Sequence, residues 1–198
     1  MNQISRLFLR FFECQNLFEI SISKHNIPSI SNKFVFDIIS IDKLEYFKQI
    51  SIPEYRGNAY YETVKKRLQN NSNEFVCLAI IDKVENRIAY SCWIRFTSFF
   101  DDKINMYIDM QENEAFFFDA YSFPEYRGKG LHYHMMVQRI NFCNDNNIQK
   151  AFIGIQCFNV AALKVKDKLK YKQITRNCYS KKSSCKLFIQ LLLNKFIK

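Results

Sequence analysis

Residues 116–140 read FFFDAYSFPEYRGKGLHYHMMVQRI, and no other segment of the sequence constrains the structure as tightly. The segment opens with an apolar, aromatic-rich run, which predicts a buried β-strand. Gly128 and Gly130 follow, and the residues after them have the apolar spacing of a helix. This order places the unpaired N–H groups of a first helical turn, and the positive end of the helix dipole, beside backbone that can approach an anion closely. The segment therefore predicts a phosphate or pyrophosphate site at residues 127–132.

The pentapeptide PEYRG occurs twice, at residues 53–57 and again at 124–128. Only the second copy follows a predicted buried strand and continues into another glycine and a long helix. The first copy lies between two segments of helical pattern, where its proline and glycine favour a tight turn. We therefore interpret the first copy as a turn and a chance likeness, and the second as the functional one.

The remaining segments predict an α/β or α+β domain with a mixed sheet. Alternating or β-branched runs indicate strands, and 3.6-residue periodicity indicates helices. In chain order we predict strands at 16–23 and 34–40, helices at 42–50 and 59–70, a hairpin at 74–96, a loop with a short strand at 104–109, a strand at 114–123, a helix at 131–147, a strand at 150–157, a helix at 159–170 and last strands within 171–193. Asn159 is placed to cap the last helix.

The chain of 198 residues contains no linker rich in Pro, Gly or Ser. We therefore expect a single domain over 1–198, with residues 1–32 as an N-terminal extension packed on it. The net charge of +10 favours acidic partners, but aromatic residues do not interleave with the basic ones in an RNA-binding pattern. We expect no specific nucleic-acid partner.

Seven cysteines without a CxxC pair, and only three histidines, predict reduced thiols in a cytoplasmic protein and no metal site. The sequence has no run of about 18 apolar residues, so no transmembrane segment is expected. The basic, aromatic N-terminus leaves a peripheral membrane contact open. The oligomeric state is also open, with a homodimer among the alternatives.

The second PEYRG and its surroundings resemble the acyl-CoA-binding signature of the GNAT acyltransferase superfamily, [QR]-x-x-G-x-[GA], with Arg127 at the first position and Gly130 at the fourth. Downstream, NVAALKVKDKLKY is similar to a second family element, to which it supplies Asn159, Ala162 and Tyr171. The resemblance covers residues 75–171. It implies a mixed, mostly antiparallel central sheet with splayed central strands, flanked by about four helices.

The resemblance also implies roles for individual residues. The pyrophosphate of acyl-CoA would be bound by Arg127, Gly128, Lys129, Gly130, Leu131 and His132. The backbone around Tyr121, Ser122 and Phe123 would hold the pantetheine and polarise the thioester carbonyl, and Asn159 would reach the pantetheine arm. The sequence departs from the family at four places. His132 replaces a small residue, and Lys170 replaces the usual glycine before the aromatic position. Lys166 stands where many members place the tyrosine that protonates the leaving thiolate, and phenylalanines 116–118 stand where many members carry a glutamate.

An attacking amine must lose a proton, so a general base is expected. The candidates are Glu114, Asp119 and Tyr121, and the candidates for the acid are Tyr121, Tyr133 and water. Each carboxylate also has a structural interpretation, since Glu114 could be a solvated charge and Asp119 could bind a neighbouring backbone amide. Cys157 is expected to be a bland buried thiol. His132 and His134 are expected to lie on different helix faces, and so not to form a metal pair.

The expected function is transfer of an acetyl or other acyl group from acetyl-CoA or a related acyl-CoA to the amine of a small molecule. By analogy with GNAT-like proteins of polysaccharide biosynthesis, the expected acceptor is an amino sugar or another envelope precursor. Two alternatives stay open, a catalytically inactive acyl-CoA-binding protein and a protein N-acetyltransferase. A basic nucleic-acid-binding protein would rest on charge alone.

Overall fold

The computed structural model describes residues 12–69, 74–101 and 106–180. The strands are β1 (Phe12–Ser21), β2 (Phe34–Ile39), β3 (Phe75–Asp82), β4 (Arg87–Arg95), β5 (Phe99–Asp101), β6 (Met106–Ile108), β7 (Glu114–Ser122), β8 (Lys150–Gln156) and β9 (Lys172–Ser180). The helices are a 3₁₀ helix at Ile41–Ile50, α1 (Ala59–Gln69), a short 3₁₀ turn at Pro124–Tyr126, α2 (Leu131–Asp145) and α3 (Val160–Lys168). The predicted strands beyond residue 180, and the N-terminal residues 1–11, lie outside the described residues.

Seven strands form one sheet in the order β2-β3-β4-β7-β8-β1-β9, while β5 and β6 pair only with each other. Within the seven-stranded sheet β7 and β8 run parallel, and the other neighbouring strands run antiparallel. The predicted fold class, a mixed and mostly antiparallel sheet with four helices longer than one turn, is confirmed. The apolar strand predicted at 114–123 is β7, at the centre of the sheet.

The two parallel strands at the centre of the sheet separate after a short contact. They pair only from Glu114 opposite Lys150 to Phe117 opposite Ile153. Beyond that point β7 remains bound to β4, but no strand among the described residues pairs with its other edge. The predicted splay of the central strands is therefore confirmed, and it opens a cleft within the sheet.

A β-bulge lies where β7 leaves β8. In the β4–β7 ladder, Trp93 pairs with Phe118 and Ser91 with Tyr121, so β7 carries one extra residue in this interval. Asp119 accommodates it with a φ of 50°, a left-handed conformation that aspartate tolerates better than most residues. Because a bulge bends its strand and increases its twist, it directs the second half of β7 away from β8.

The helices cover the sheet through the faces that their periodicity predicts. On α2, Met136, Val137 and Ile140 are buried as expected, while Tyr133 is half-buried. On α3, Ala162 is buried. This packing fixes the N-terminus of α2 at the open end of the cleft.

Three segments differ from the sequence prediction. The helix predicted at 42–50 is a 3₁₀ helix, whose turn begins with a bond from Lys43 N to Ser40 O. The ambiguous stretch before β7 forms two short strands rather than one. The first strand starts at Phe12 rather than at residue 16, and it lies between β8 and β9 in the main sheet.

Among the described residues, no helix combines the length and apolar character needed to cross a bilayer. Over the same residues, no cluster of three or more His, Cys, Asp or Glu side chains is arranged to hold a metal ion.

Candidate functional site

The separation of β7 from β8 creates a cleft of about 740 Å³ that extends to the N-terminus of α2. Its walls come from both strands, from the glycine turn and from the first turns of α2 and α3. The predicted site residues that line it are Asp119, Tyr121, Ser122, Arg127, Gly128, Gly130, Leu131, His132, Tyr133 and Asn159. The structure thus brings together most of the residues that the sequence selected.

The glycine turn presents backbone amides to one end of the cleft. Gly128 and Gly130 both have a φ of 75°, which favours glycine, and Gly130 is the N-cap residue of α2. The first bond of α2 runs from His134 N to Gly130 O, at 3.1 Å. The amides that precede His134 therefore have no acceptor within the helix and can bind an anion.

The basic side chains of this turn are placed differently from one another. Arg127 lines the cleft, and its Nε donates a hydrogen bond to Ser122 O at 3.3 Å. Lys129 is exposed and lies 5.0 Å from the centre of the Tyr126 ring, outside the residues that line the cleft. Arg127 is thus the cation of this turn that is placed for an anionic ligand.

The ring of His132 lies against Tyr90, and both residues line the cleft. Its Nδ1 lies 2.7 Å from the hydroxyl of Tyr90. Burial, and next the positive charge of Arg139, lower the pKa of His132 to about 4, so the ring is neutral at pH 7. His134 instead bonds through Nδ1 to Pro28 O, at 2.7 Å, so the two rings contact different parts of the chain.

The second half of β7 supplies the wall of the cleft opposite β8. Tyr121 and Ser122 line it, and this edge of the strand is unpaired. Phe123 is different, because its side chain is fully buried and its N–H donates to Ala89 O at 3.3 Å. Its amide is therefore already engaged, which is unfavourable for its predicted role as a donor to the pantetheine or the thioester.

Asp119 lines the cleft but is held by side chains of the preceding helical region. Its oxygens accept hydrogen bonds from Arg56, from Arg67 Nη1 at 2.5 Å and from the hydroxyl of Tyr60 at 3.3 Å. Burial alone raises the pKa of Asp119, but the charges and hydrogen bonds of Arg56 and Arg67 outweigh it and keep the pKa below its usual value. The partners are thus two arginines rather than the backbone amide we considered, and the carboxylate is a poor proton acceptor.

The two PEYRG segments contact each other. The ring of Tyr55, from the first copy, packs edge-on against Phe123 with 5.0 Å between ring centres, and its hydroxyl lies 3.5 Å from Glu125 of the second copy. The first copy is a turn, as predicted, but its arginine lines the cleft. Arg56 is therefore a site residue that sequence reasoning missed, and the repeated pentapeptide was its only signal.

Glu114 lies outside the cleft, at the opposite end of β7. Its Oε2 accepts from Gln111 N at 3.2 Å, and its Oε1 lies 3.8 Å from Lys150 Nζ. Seven residues of extended strand, about 23 Å, separate it from Tyr121. This position removes the geometric basis for Glu114 as the base.

Three other residues singled out in the sequence have identifiable surroundings. Asn159 caps α3 as predicted, because its Oδ1 accepts a hydrogen bond from Ala162 N at 3.1 Å. Lys166 pairs with the neighbouring Asp167. Cys157 is half-buried, and its Sγ lies 3.8 Å from the side-chain oxygen of Asn16.

The fold has counterparts among solved structures. A GCN5-related N-acetyltransferase from Sphaerobacter thermophilus superposes with a TM-score of 0.59 over 89% of this chain and 56% of its own, at 7% identity. A glucosamine N-acetyltransferase region of a fungal multi-domain GH3 β-N-acetylglucosaminidase gives a TM-score of 0.62, over 90% of this chain and 22% of that one, at 12% identity. An aminoglycoside acetyltransferase from an uncultured soil metagenomic sample, in complex with sisomicin, superposes with a TM-score of 0.52 over 70% of this chain and 88% of its own, at 15% identity.

The chain spans little more than half the length of the Sphaerobacter protein and less than a quarter of the fungal one. No protein-family model and no curated protein matches its sequence. At these identities the structural similarity shows the fold, and the chemistry must be argued from the cleft.

Proposed function

Because the chain has the fold of the GCN5-related N-acetyltransferases, we propose that it transfers an acyl group from acyl-CoA, acetyl-CoA in the first instance, to the amine of a small acceptor. The observation that carries the proposal is the continuity of the cleft. It joins a helix N-terminus with unpaired amides to a strand edge that has lost its partner. A ligand with a diphosphate at one end and an amide-containing arm at the other fits this arrangement.

In the proposed complex, the diphosphate lies at the amides of Gly128 to His132, with Arg127 as its cation. The pantetheine arm lies along the free edge of β7 at Tyr121 and Ser122, where it takes the place of a strand. Strand edges bind extended amides through main-chain hydrogen bonds, so the pantetheine amides suit this edge. Asn159, the N-cap residue of α3, would contribute its side-chain amide nitrogen, because its side-chain oxygen accepts the capping hydrogen bond from Ala162 N.

The proposed reaction is direct attack of the amine on the thioester carbonyl. The nitrogen–carbon bond forms, the carbonyl oxygen becomes an oxyanion, and the carbon–sulfur bond then breaks with its electron pair on sulfur. An N–H of the unpaired β7 edge would bind the oxyanion, and such donors are typically worth about 3 kcal/mol. The amine proton would pass to water, directly or relayed through the hydroxyl of Tyr121, because Asp119 is ion-paired and Glu114 lies outside the cleft.

We propose an amino sugar as the first acceptor class to test. Two proteins of the same fold are described as a glucosamine N-acetyltransferase and an aminoglycoside acetyltransferase, and both therefore act on amino sugars or their derivatives. The amine would enter beside Asp119, where the side chains of Arg56 and Tyr121 also line the cleft.

An acyl-CoA-binding protein without catalysis is the second candidate. It is favoured by the surroundings of the two candidate bases, since Asp119 is ion-paired with two arginines and Glu114 lies outside the cleft. A binder would keep the affinity for acyl-CoA and release no thiol with any amine.

Calorimetry with acetyl-CoA tests the site. We expect binding by the wild type and none by Gly130→Glu, because the new carboxylate would repel the phosphates. Gly57→Glu is the matched control: Gly57 has a φ of 80° and open space around it, as Gly130 does, but it lies outside the residues that line the cleft. Binding lost in both variants alike, or absent in the wild type, would contradict the proposal.

Thiol release from acetyl-CoA, measured with a panel of amino sugars and other amines, then separates enzyme from binder. Release with one class of amine supports transfer and identifies the acceptor. Acetyl-CoA binding without release from any member of the panel favours the binding protein.

A further inference from the structure

Arg139 is a cation buried at the floor of the cleft. It extends from α2, has no exposed surface and is among the residues that line the cleft. Among the ion pairs of the described residues, none includes it. A buried charge without a counter-ion costs several kcal/mol, so its presence calls for a physical reason.

The contacts of Arg139 compensate its charge only in part. Nη2 donates to Phe118 O at 3.0 Å and to Trp93 O at 3.3 Å, and Nη1 lies 3.6 Å from the sulfur of Met136. Nε is buried and has no hydrogen-bond partner within the described part of the chain. The guanidinium also lies over the ring of Phe117, with 5.1 Å from Cζ to the ring centre, and these neutral partners leave its positive charge without a counter-ion.

The position of Arg139 coincides with the point where the strands part. Phe118, whose carbonyl it binds, directly follows the last β7 residue that pairs with β8. The arginine thus lies next to the bulge, at the point where β7 and β8 part. A ligand arm that entered between the strands would approach this cation.

The surrounding groups do not cancel this charge. Asp119, on β7, is matched by Arg56 and Arg67. The titratable groups whose pKa values are affected by the charge of Arg139 are neutral near pH 7, because burial, the first cause of each shift, disfavours their charged forms. They are Cys77 on β3, Tyr90 and Cys92 on β4, His132 and Cys143 on α2, and Tyr171 before β9. The floor of the cleft is therefore electropositive, and most of the groups around Arg139 are buried.

We propose that Arg139 stabilises the coenzyme A thiolate that leaves when the thioester is cleaved. This inference rests on the proposed function. Breakage of the carbon–sulfur bond leaves the electron pair on sulfur, while the amine gives its proton to water, directly or by relay through the hydroxyl of Tyr121. A desolvated cation favours the thiolate over the thiol, so sulfur can depart as the anion and take a proton from solvent later.

A purely structural role is the competing explanation, because Arg139 also satisfies a carbonyl freed by the bulge. The two explanations differ in what they predict for the thiol of bound coenzyme A. If the charge acts on sulfur, the thiol pKa is lower in the complex than in solution. If Arg139 only supports the bulge, the bound thiol has no reason to be more acidic than the free one.

The test is a pH titration of the thiolate absorbance of coenzyme A bound to the wild-type protein, with the S-methyl-CoA complex as the blank. We expect the thiol pKa to fall by at least one unit on binding. Arg139→Lys should keep part of this shift, and Arg139→Gln should abolish it in any protein that still binds coenzyme A. Lys66→Gln, at an exposed lysine of α1 outside the cleft, controls for the loss of one positive charge.

The outcomes separate this inference from the function on which it rests. Absence of coenzyme A binding by the wild type would overturn both. Binding without a lowered thiol pKa would overturn the role of Arg139 and leave the transferase proposal intact. The wild-type measurement decides this even if Arg139→Gln fails to fold.

Discussion

Arg67 donates a hydrogen bond from Nη1 to Oδ2 of Asp119 at 2.5 Å, and Arg56 binds the other oxygen of the same carboxylate. These contacts join α1 and the turn before it to the bulge of β7. The side chain of Asp119 is 14% exposed, so the charges interact where water screens them little. One carboxylate thereby fixes the wall of the cleft on which the acceptor would enter.

Asp119→Asn should destabilise the protein, because it leaves Arg56 and Arg67 without their counter-ion. Removal of one partner from a buried pair typically costs about 3 kcal/mol, and we expect a loss of this order in urea unfolding at pH 7. Asp145→Asn removes an exposed pair with Lys24 and should change stability little. Equal stabilities of Asp119→Asn and wild type would contradict the structural role.

The same carboxylate should contribute to acid unfolding. Its pKa is lower in the folded protein than in the unfolded chain, so its stabilisation is complete above the unfolded value of about 4 and is lost as the pH falls through the folded value. The stability difference between wild type and Asp119→Asn should therefore narrow below pH 4. A difference that stays constant down to pH 2 would argue against the lowered pKa.

His132 should make stability depend on pH in a different window. Its pKa is lowered to about 4 when folded, so the unfolded chain takes up the proton first and stability falls as the pH drops from 6.5 towards 4. Between pH 7 and pH 5 this amounts to about 2 kcal/mol. Urea unfolding of His132→Asn should lack this component. Tyr90→Phe, which removes the hydrogen bond but leaves the imidazole buried, should retain it.

If wild type and His132→Asn lose the same stability between pH 7 and pH 5, the ring is not buried as a neutral group. Because the measurement is made without ligand, it is independent of the proposed activity.

The sequence predicted the glycine turn and the helix after it because their signals are local. Gly128 and Gly130 need positive φ angles, and the periodicity of α2 shows which face is buried. The splay of β7 and β8 came from the resemblance, since pairing between strands leaves little trace in a single sequence. The bulge that accompanies it depends on Asp119, and no neighbouring residue in the sequence indicates that Asp119 has a left-handed conformation.

The contacts that the sequence could not predict are long-range ones between charged side chains. Arg56 and Asp119 are 63 residues apart and meet only because α1 packs against the sheet. Arg139 was missed for a related reason. An arginine on an amphipathic helix is usually exposed, so its complete burial follows from the tertiary structure alone.

Asn159 has two roles that substitution can separate. Asn159→Ala removes the cap of α3 and should cost about 1 kcal/mol of stability. Asn159→Asp keeps the capping oxygen and adds a charge that a helix N-terminus favours, so stability should be maintained. If the side-chain nitrogen contacts pantetheine, both variants should bind acetyl-CoA more weakly in calorimetry. Wild-type affinity in Asn159→Asp would show that the residue only caps the helix.

In the wall of the cleft, the side chain of Gln15, on β1, occupies the space that a side chain at Gly154, on β8, would need. A Cβ at position 154 would lie 1.7 Å from Nε2 of Gln15 and 2.8 Å from its Cδ, so Gly154→Ala requires the buried glutamine to move. Overpacking of this kind typically costs about 1–3 kcal/mol. We expect the loss of stability caused by Gly154→Ala, measured by urea unfolding, to lie within this range.

The explanation requires that shortening Gln15 recover the lost stability. In the double-mutant cycle, the free energy of unfolding of the Gln15→Ala/Gly154→Ala variant should exceed the value expected from adding the two single effects by at least about 1 kcal/mol. Gln138→Ala, on α2, is the matched control, because its amide contacts His134 at 3.3 Å and its effect should add to that of Gly154→Ala. Additivity in both cycles would mean that Gln15 does not occupy the space left by the glycine. Coupling confined to Gln15 would show that the absence of a side chain at position 154 sets the position of an amide in the cleft wall.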